Sequence, residues 1–273
     1  MEVVIPEGPE TRITVDSLST HVVGKELVNI EFLSGRYTKH SLPEGTSEIL
    51  TELPQMIQDV NCKGKFIYFT CKSNWSIWNT LGMSGSWSAS ERKHSRVKFT
   101  FSDGSSVFFN DIRNFGTLKF VNDPGALTKK LNELGPDMLT EDVADHVFKQ
   151  RVRRQKSKTV TEALMNQKVV AGVGNYLKSE SLYFAKISPH RTCDSLLDAE
   201  LDTLNHVIKQ VIRQSYQTGG ATIYTFQNFE GQSGQYSRRF AVYNQSNDPE
   251  GRKVESFTSP EGRTTFWVRE VQK

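Results

Sequence analysis

The sequence predicts an α+β multidomain fold: a β-sandwich carrying one long helix, then a helical domain, then a terminal β-hairpin. Three observations predict it. Short alternating segments rich in β-branched and aromatic residues run from Leu27 to Val121. From about Glu141 to Gln217 the apolar residues instead recur at helical spacing, as in Leu197, Leu201, Leu204, Ile208, Val211 and Ile212. The tail from residue 237 returns to β character. A length of 273 residues favours two domains, each large enough to bury a core.

The elements follow in order. Ile13, Val15, Leu18 and Val22 predict a helix over 12–23, stopped at Gly24. Strands are expected at Leu27–Phe32, Phe66–Cys71, Ser76–Trp78, Val97–Phe101, Val107–Phe109 and Thr117–Val121, with turns such as Ser102-Asp103-Gly104-Ser105 between them. A short helix is expected over Gly125–Pro136, ending at Gly135-Pro136. The basic run from Lys149 to Lys158 reads as a linker between the two parts. A cleft lined by that run is the sharper alternative. A helix over Thr159–Lys168 should stop at the glycines of Val169–Gly174, and a second should start near Asn175. Residues 218–235 form a loop rich in Gly, Thr and Gln; strands at Arg239–Tyr243 and Thr264–Val268 flank a turn at Asn244–Gly251.

Composition narrows the function classes. No apolar stretch approaches the ~20 residues that cross a bilayer. The start MEVVIPEGPE has no basic segment leading into an apolar run, so a secretory signal is not expected. Three scattered cysteines, Cys62, Cys71 and Cys193, argue for a reducing, intracellular setting and cannot supply a four-cysteine metal site. A net charge of +3 is compatible with nucleic-acid binding without requiring it, since clustering matters more than the total.

Four segments carry chemistry, each beside a plainer reading. Ile5-Pro6-Glu7-Gly8-Pro9-Glu10 is either a rigid helix entry with favourable acids or a pair of carboxylates for acid/base work. Gly172-Val173-Gly174-Asn175 is either a helix corner or a phosphate cradle of free N–H groups at a helix start. Leu81-Gly82-Met83-Ser84-Gly85 and Asp111-Ile112-Arg113-Asn114-Phe115-Gly116 offer Met, Arg and Phe, which are either packing residues or wedges for a duplex missing one stacked base. Arg263, in Gly262-Arg263-Thr264, is either solvated or a bidentate phosphate ligand.

In this order the segments PEGPE, KGKFIYF, LGMSG, DIRNFG, GVGNYLKSESLYFAKISPH and GRTTFW resemble the formamidopyrimidine-DNA glycosylase/endonuclease VIII family of base-excision repair enzymes. The resemblance spans Pro6 to Lys273 and implies an N-terminal β-sandwich with one long helix, a helix–two-turn–helix domain and a β-hairpin finger. Boundaries follow at 1–135 for the catalytic sandwich, 136–155 for the basic linker, 156–236 for the helical DNA-binding domain and 237–273 for the finger.

The resemblance also implies roles: Pro6 as nucleophile, Glu7 as general acid, Lys65 for phosphate contact and elimination, and Arg263 as the finger arginine. Glu10, as second acid of the motif, His94 and Asn175 fall at DNA-contacting positions; Met83, Arg113 and Phe115 fall at the gap-filling ones. Lys156 and Lys158 match a basic DNA-contacting stretch, and Gly219–Tyr236 resembles a loop that closes over a flipped base. The implied partner is damaged DNA, double- or single-stranded, bound by a monomer without cofactor or membrane. The implied activity is a bifunctional glycosylase and abasic-site lyase acting on oxidised pyrimidines, formamidopyrimidines and hydantoins.

Two features depart from the family. Most relatives end in a four-cysteine zinc finger, whereas no cysteine lies in 237–273; a zincless finger is expected, held by Phe240, Val242, Tyr243, Phe257, Phe266 and Trp267. The family's proline is N-terminal and attacks through a secondary amine, but here Ile5 precedes Pro6, making its nitrogen a delocalised amide. The preferred expectation is that the active protein lacks the first five residues. An amine elsewhere (the Met1 α-amino group or Lys65) and a lesion-binding protein without lyase chemistry are the alternatives.

Overall fold

A computed structural model describes residues 5–221, 229, 231 and 234–273. In chain order it contains α1 (Gly8–Val22), β1 (Glu26–Phe32), α2 (Arg36–Lys39), α3 (Thr46–Thr51), β2 (Gln55–Lys63), β3 (Phe66–Cys71), β4 (Trp75–Thr80), β5 (Gly85–Ser88), β6 (Ser95–Phe101), β7 (Ser106–Asp111) and β8 (Thr117–Asn122). Then follow α4 (Pro124–Glu133), α5 (Asp145–Arg153), α6 (Val160–Met165), α7 (Asn175–Phe184), α8 (Asp198–Gln217), β9 (Glu255–Thr258) and β10 (Thr264–Trp267).

The eight N-terminal strands hydrogen-bond in the order β5-β7-β6-β1-β2-β3-β4-β8, all neighbours antiparallel. β1 and β2 share only the pairs Glu26↔Met56 and Leu27↔Gln55, so the sheet turns a corner there and folds into two layers. Phe69 of β3 meets Trp87 of β5 at 5.6 Å between ring centroids, and Trp87 meets Phe99 and Phe109 at 5.3 Å each. Those rings are fully buried and form the inter-layer core. β2 and β5 were not expected from the sequence: β2 carries Asp59, Asn61 and Lys63 on its outer positions, and β5 reads Gly-Ser-Trp-Ser. Pairing with β3 and β7, rather than propensity, makes them strands.

Helix α1 starts four residues earlier than its apolar spacing suggests. Pro9 lies in its first turn, where a missing N–H costs nothing, and Glu10 accepts the Glu7 N–H at 2.8 Å. α1 lies against β2 and α8 and so spans both halves of the chain.

The segment read as a basic linker contains the helix α5. Phe148 and Val152, four residues apart, bury one face, while Lys149 pairs with Asp202 at 3.0 Å and Arg153 with Asp198 at 2.6 Å on α8. Its charges had hidden that apolar pair.

The expected strand at Arg239–Tyr243 does not form; a 3₁₀ turn covers Tyr236–Arg239. The reason is Glu180, buried on α7, whose carboxylate accepts the N–H groups of Ala241, Val242 and Tyr243 at 2.8, 3.0 and 2.9 Å. Donors that a ladder would have used are taken by a side chain. Beyond it, β9 and β10 form a hairpin, and the apolar cluster assembles around it. Tyr243 meets Phe240 at 5.3 Å and Phe266 at 5.1 Å, Val242 is buried with Val268, and His190 stacks on Phe257 at 4.2 Å.

Tyr243→Ala should therefore lower stability by about 3–5 kcal/mol in urea unfolding. Incubation with EDTA should leave the melting temperature of the wild type unchanged, and a fall would show a metal to be part of the finger.

Candidate functional site

Three glycines bring the site together. Gly8 of α1, Gly64 of the β2–β3 turn and Gly172 before α7 meet backbone to backbone. The Gly8 N–H donates to the Gly172 carbonyl at 2.9 Å, and a Cβ on Gly8 would lie 2.9 Å from the Gly172 Cα. Gly64 and Gly172 have φ of +58° and +93°, which favours glycine again. Asp137 accepts the Gly64 N–H at 2.7 Å and fixes that turn. Three segments distant in sequence thus present Glu7, Lys65 and Asn175 in one place.

Glu7 is almost wholly buried, yet its carboxylate is seated on the first turn of α7: Oε1 accepts the Tyr176 N–H at 2.9 Å and Oε2 the Leu177 N–H at 3.3 Å. Lys65 is half-buried, and its Nζ and the Glu7 carboxylate both crowd the Cα of Gly174, leaving no room for a side chain there. Burial raises the Glu7 pKa to about 7, against the lowering pull of the Lys65 charge. Burial likewise lowers the Lys65 pKa, opposed by Glu7 and Glu10 and reinforced by Arg263. The pair is an acid whose pKa is raised to about 7 beside an amine whose pKa burial lowers.

Pro6 is buried beside this pair and joined to half-buried Ile5 by an amide. Glu10 is fully buried. Its carboxylate takes the Glu7 N–H, the Tyr176 hydroxyl (3.1 Å) and the Ala221 N–H (2.7 Å), so it ties α1 to α7 and to the residues after α8 instead of facing solvent. Asn175 is also buried: Nδ2 donates to the Thr264 carbonyl at 2.9 Å, pinning the hairpin that carries half-buried Arg263, while Oδ1 has no partner among the described residues.

The wedge residues form a second group. Arg113 lies over the Phe115 ring at 5.3 Å, Phe115 is more than half exposed, and Met83 is partly exposed. Asp111, buried, holds both loops: it accepts from Ser84 Oγ (2.5 Å), Arg113 N (3.2 Å) and Gly116 N (2.7 Å). His94, partly exposed, lies 3.4 Å from an Arg96 guanidinium nitrogen. Lys156 and Lys158 are exposed, and their carbonyls accept the N–H groups of Asp194 and Cys193, so the fold ties them to that segment rather than to the Glu7 group.

Sequence reasoning placed Gly174 in the Gly-x-Gly corner without its contact to Glu7 and Lys65, and gave no role to Tyr176, Asp111 or Asp137, which act through folded contacts. The middle of the Gly219–Tyr236 loop and the Met1 amine lie outside the described residues. Among the described residues no group of three or more His, Cys, Asp or Glu is placed to hold a metal ion, and no helix is long and apolar enough to cross a membrane.

Comparison with known proteins places this geometry. Two family models match, described as the formamidopyrimidine-DNA glycosylase N-terminal domain (residues 5–118) and the formamidopyrimidine-DNA glycosylase H2TH domain (residues 134–227). The formamidopyrimidine-DNA glycosylase of Listeria monocytogenes serotype 4b strain F2365 is 30% identical over 278 residues, covering 98% of this chain and 100% of that protein. That of Listeria innocua is 31% identical over 251 residues, covering 90% of each. Among solved structures, the MutM (Fpg) protein from Thermus thermophilus superimposes with a TM-score of 0.85 at 27% identity, over 98% of both chains. A MutM complex with DNA containing carbocyclic 8-oxo-G gives the same TM-score at 25% identity, over 98% of this chain and 100% of that one.

Carboxyl-selective NMR should show Glu7 titrating near pH 7, and Lys65→Met should move it higher, because the lowering cation is gone. Since the folded-state value lies above the unfolded one, this group's contribution to stability should be fully present below about pH 4.5 and lost as pH rises through about 7. A Glu7 titration near 4.5 would contradict the site.

Proposed function

Because the chain belongs to the formamidopyrimidine-DNA glycosylase family, we propose that it is a bifunctional DNA glycosylase and abasic-site lyase of base-excision repair. Its substrates are oxidised bases, namely oxidised pyrimidines, formamidopyrimidines and hydantoins, in duplex or single strand. The observation that carries the proposal is Glu7: a buried acid directly after Pro6, seated on a helix start, facing Lys65, with its pKa at about 7.

Chemistry follows from that placement. In the active protein the residues before Pro6 are gone, so its ring nitrogen is a secondary amine with a free lone pair. That nitrogen bonds to C1′ of the damaged nucleotide as the bond from C1′ to the base breaks; the base leaves with its electron pair and takes up the proton that the proline nitrogen loses. Protonated Glu7 gives its proton to the sugar ring oxygen, the C1′–O4′ bond opens, and the C1′–N link becomes an iminium. Loss of a C2′ proton then expels the 3′ phosphate, which cuts the strand. A further elimination from the conjugated iminium expels the 5′ phosphate, and water hydrolyses the iminium to free the proline and the sugar remnant.

Lys65 and Arg263 offer cations for the phosphates around the lesion, and their grip weakens with salt. Met83, Arg113 and Phe115 occupy the gap left by the extruded nucleotide, whose departure costs a few kcal/mol and least at a damaged pair.

A binding protein without chemistry is the second reading, favoured by one observation: with Ile5 attached, the Pro6 nitrogen is an amide. A nicking panel separates the two. Protein beginning at Pro6 should excise and nick at several oxidised bases without added metal, and Glu7→Gln should cut strand nicking by about 10²–10⁴-fold while still binding an abasic duplex. Strand nicking should fall as pH rises through about 7, where Glu7 loses its proton. Binding without any nicking would leave the second reading.

A further inference from the structure

A cavity of about 540 Å³ opens on the outer face of the second sandwich layer, between that layer, the α2–α3 segment and α4. Its floor is aromatic: Tyr37, Phe66 and Trp78, with Phe66 edge-on to Trp78 at 5.4 Å. Its rim is cationic. Arg36 lies 5.0 Å from the Tyr37 ring centre, Lys119 5.5 Å from Trp78 and Lys130 5.5 Å from Phe66. Lys119 is paired with exposed Glu44 at 2.9 Å, but among the described residues neither Arg36 nor Lys130 has a carboxylate partner. Two positive charges over aromatic rings are thus left without a counter-ion, at the mouth of a pocket whose floor is apolar.

No step proposed for the Glu7 site uses this pocket, yet the chain connects it to the wedge loops. β4 ends at Thr80, three residues before Met83, and β8 begins at Thr117, two residues after Phe115; the hydroxyls of Thr80 and Thr117 touch at 2.7 Å on the pocket's edge. At ~3.5 Å per extended residue, the pocket edge lies within about 7–10 Å of chain from the wedge tips. That distance is about two or three stacked nucleotides along a strand.

We propose that this pocket binds one unstacked nucleotide of a DNA strand, its base against the partly exposed Trp78 ring, which buried Phe66 and Tyr37 back, and its phosphate between Arg36 and Lys130. An aromatic platform with cations beside it is the chemistry that holds an unpaired nucleotide regardless of sequence. The placement of that strand rests on the reading of Met83, Arg113 and Phe115 given above; the pocket's own chemistry does not. The site lets the protein grip a nucleotide displaced from pairing close to the lesion, and so favours frayed, bubbled or single-stranded substrates over perfect duplex.

Tryptophan emission of the intact protein, titrated with short oligothymidylate, tests this directly, with Trp78→Phe identifying the signal that belongs to the pocket. Saturable quenching is expected, lost in Trp78→Phe. The double variant Arg36→Gln/Lys130→Gln should weaken oligothymidylate binding about tenfold or more, while binding of a fully paired abasic duplex stays within about twofold of wild type. Thymidine monophosphate should bind at least about tenfold more weakly than the oligomer; equal affinity would assign the pocket to free nucleotides and overturn the inference. Equal competition by a polyglutamate peptide, or oligomer binding unaffected by the double variant, would also overturn it. Loss of abasic-duplex binding in the wild type would instead remove the glycosylase reading on which the strand's position depends.

Discussion

The carboxylate of Glu7 sits on the first turn of α7, and the rest of the site depends on that contact. Glu7 comes from the N-terminal sandwich side and Tyr176 and Leu177 from the helical side, so the acid is held by backbone that belongs to the other half of the chain. Backbone can approach this closely only where side chains are missing, which is why Gly8, Gly64, Gly172 and Gly174 converge there. Two opposed forces act on the acid. Two N–H groups and the Lys65 charge favour its ionised form, while burial opposes it more strongly, and the balance leaves it protonated up to neutrality. An acid still partly protonated in neutral solution, fixed beside an early proline, suits the proposed ring opening.

Buried charge also builds the scaffold around the site, always with partners. Glu10 gathers three donors, from the residue preceding α1, from α7 and from the chain after α8. Glu180 gathers three consecutive N–H groups of the finger loop. Lys178, with no exposed surface, bonds Glu261 and Thr265 at 2.7 Å each and anchors the hairpin. All three lie on or against α7, which is buried along nearly its whole length. Removing one partner from any of these networks leaves an uncompensated buried charge, which is far costlier than the pair is stabilising. They specify one arrangement of hairpin, helix and sandwich, a role that relatives ending in four cysteines would assign to metal coordination.

The overall order of sandwich, helices and hairpin was legible because strand and helix periods differ and the chain switches between them. The residues of the site were legible only as motifs: Glu7, Lys65 and Asn175 stand far apart in sequence, and nothing in their local spacing says that three glycines bring them together. β2 was hidden because its outward positions carry Asp59, Asn61 and Lys63, and β5 because Gly-Ser-Trp-Ser has little strand propensity. α5 was hidden because Phe148 and Val152 are outnumbered by charges whose partners sit on α8. The strand expected at Arg239–Tyr243 failed for a reason no local rule contains, a glutamate sixty residues earlier taking its donors. Glu10 and Asn175 show the same limit: as residue types they suit DNA contact, and the fold turns both inward.

The proposed repair chemistry joins an amine at Pro6 to an acid at Glu7 acting on one sugar. Borohydride reduction during reaction on duplex carrying an oxidised base, followed by protease digestion and peptide mass mapping, reads that junction directly. The predicted result is a sugar remnant fixed to the nitrogen of Pro6 as the first residue of its peptide. A remnant fixed to Lys65, or a fully active protein whose Ile5–Pro6 bond is intact in the trapped species, would contradict it.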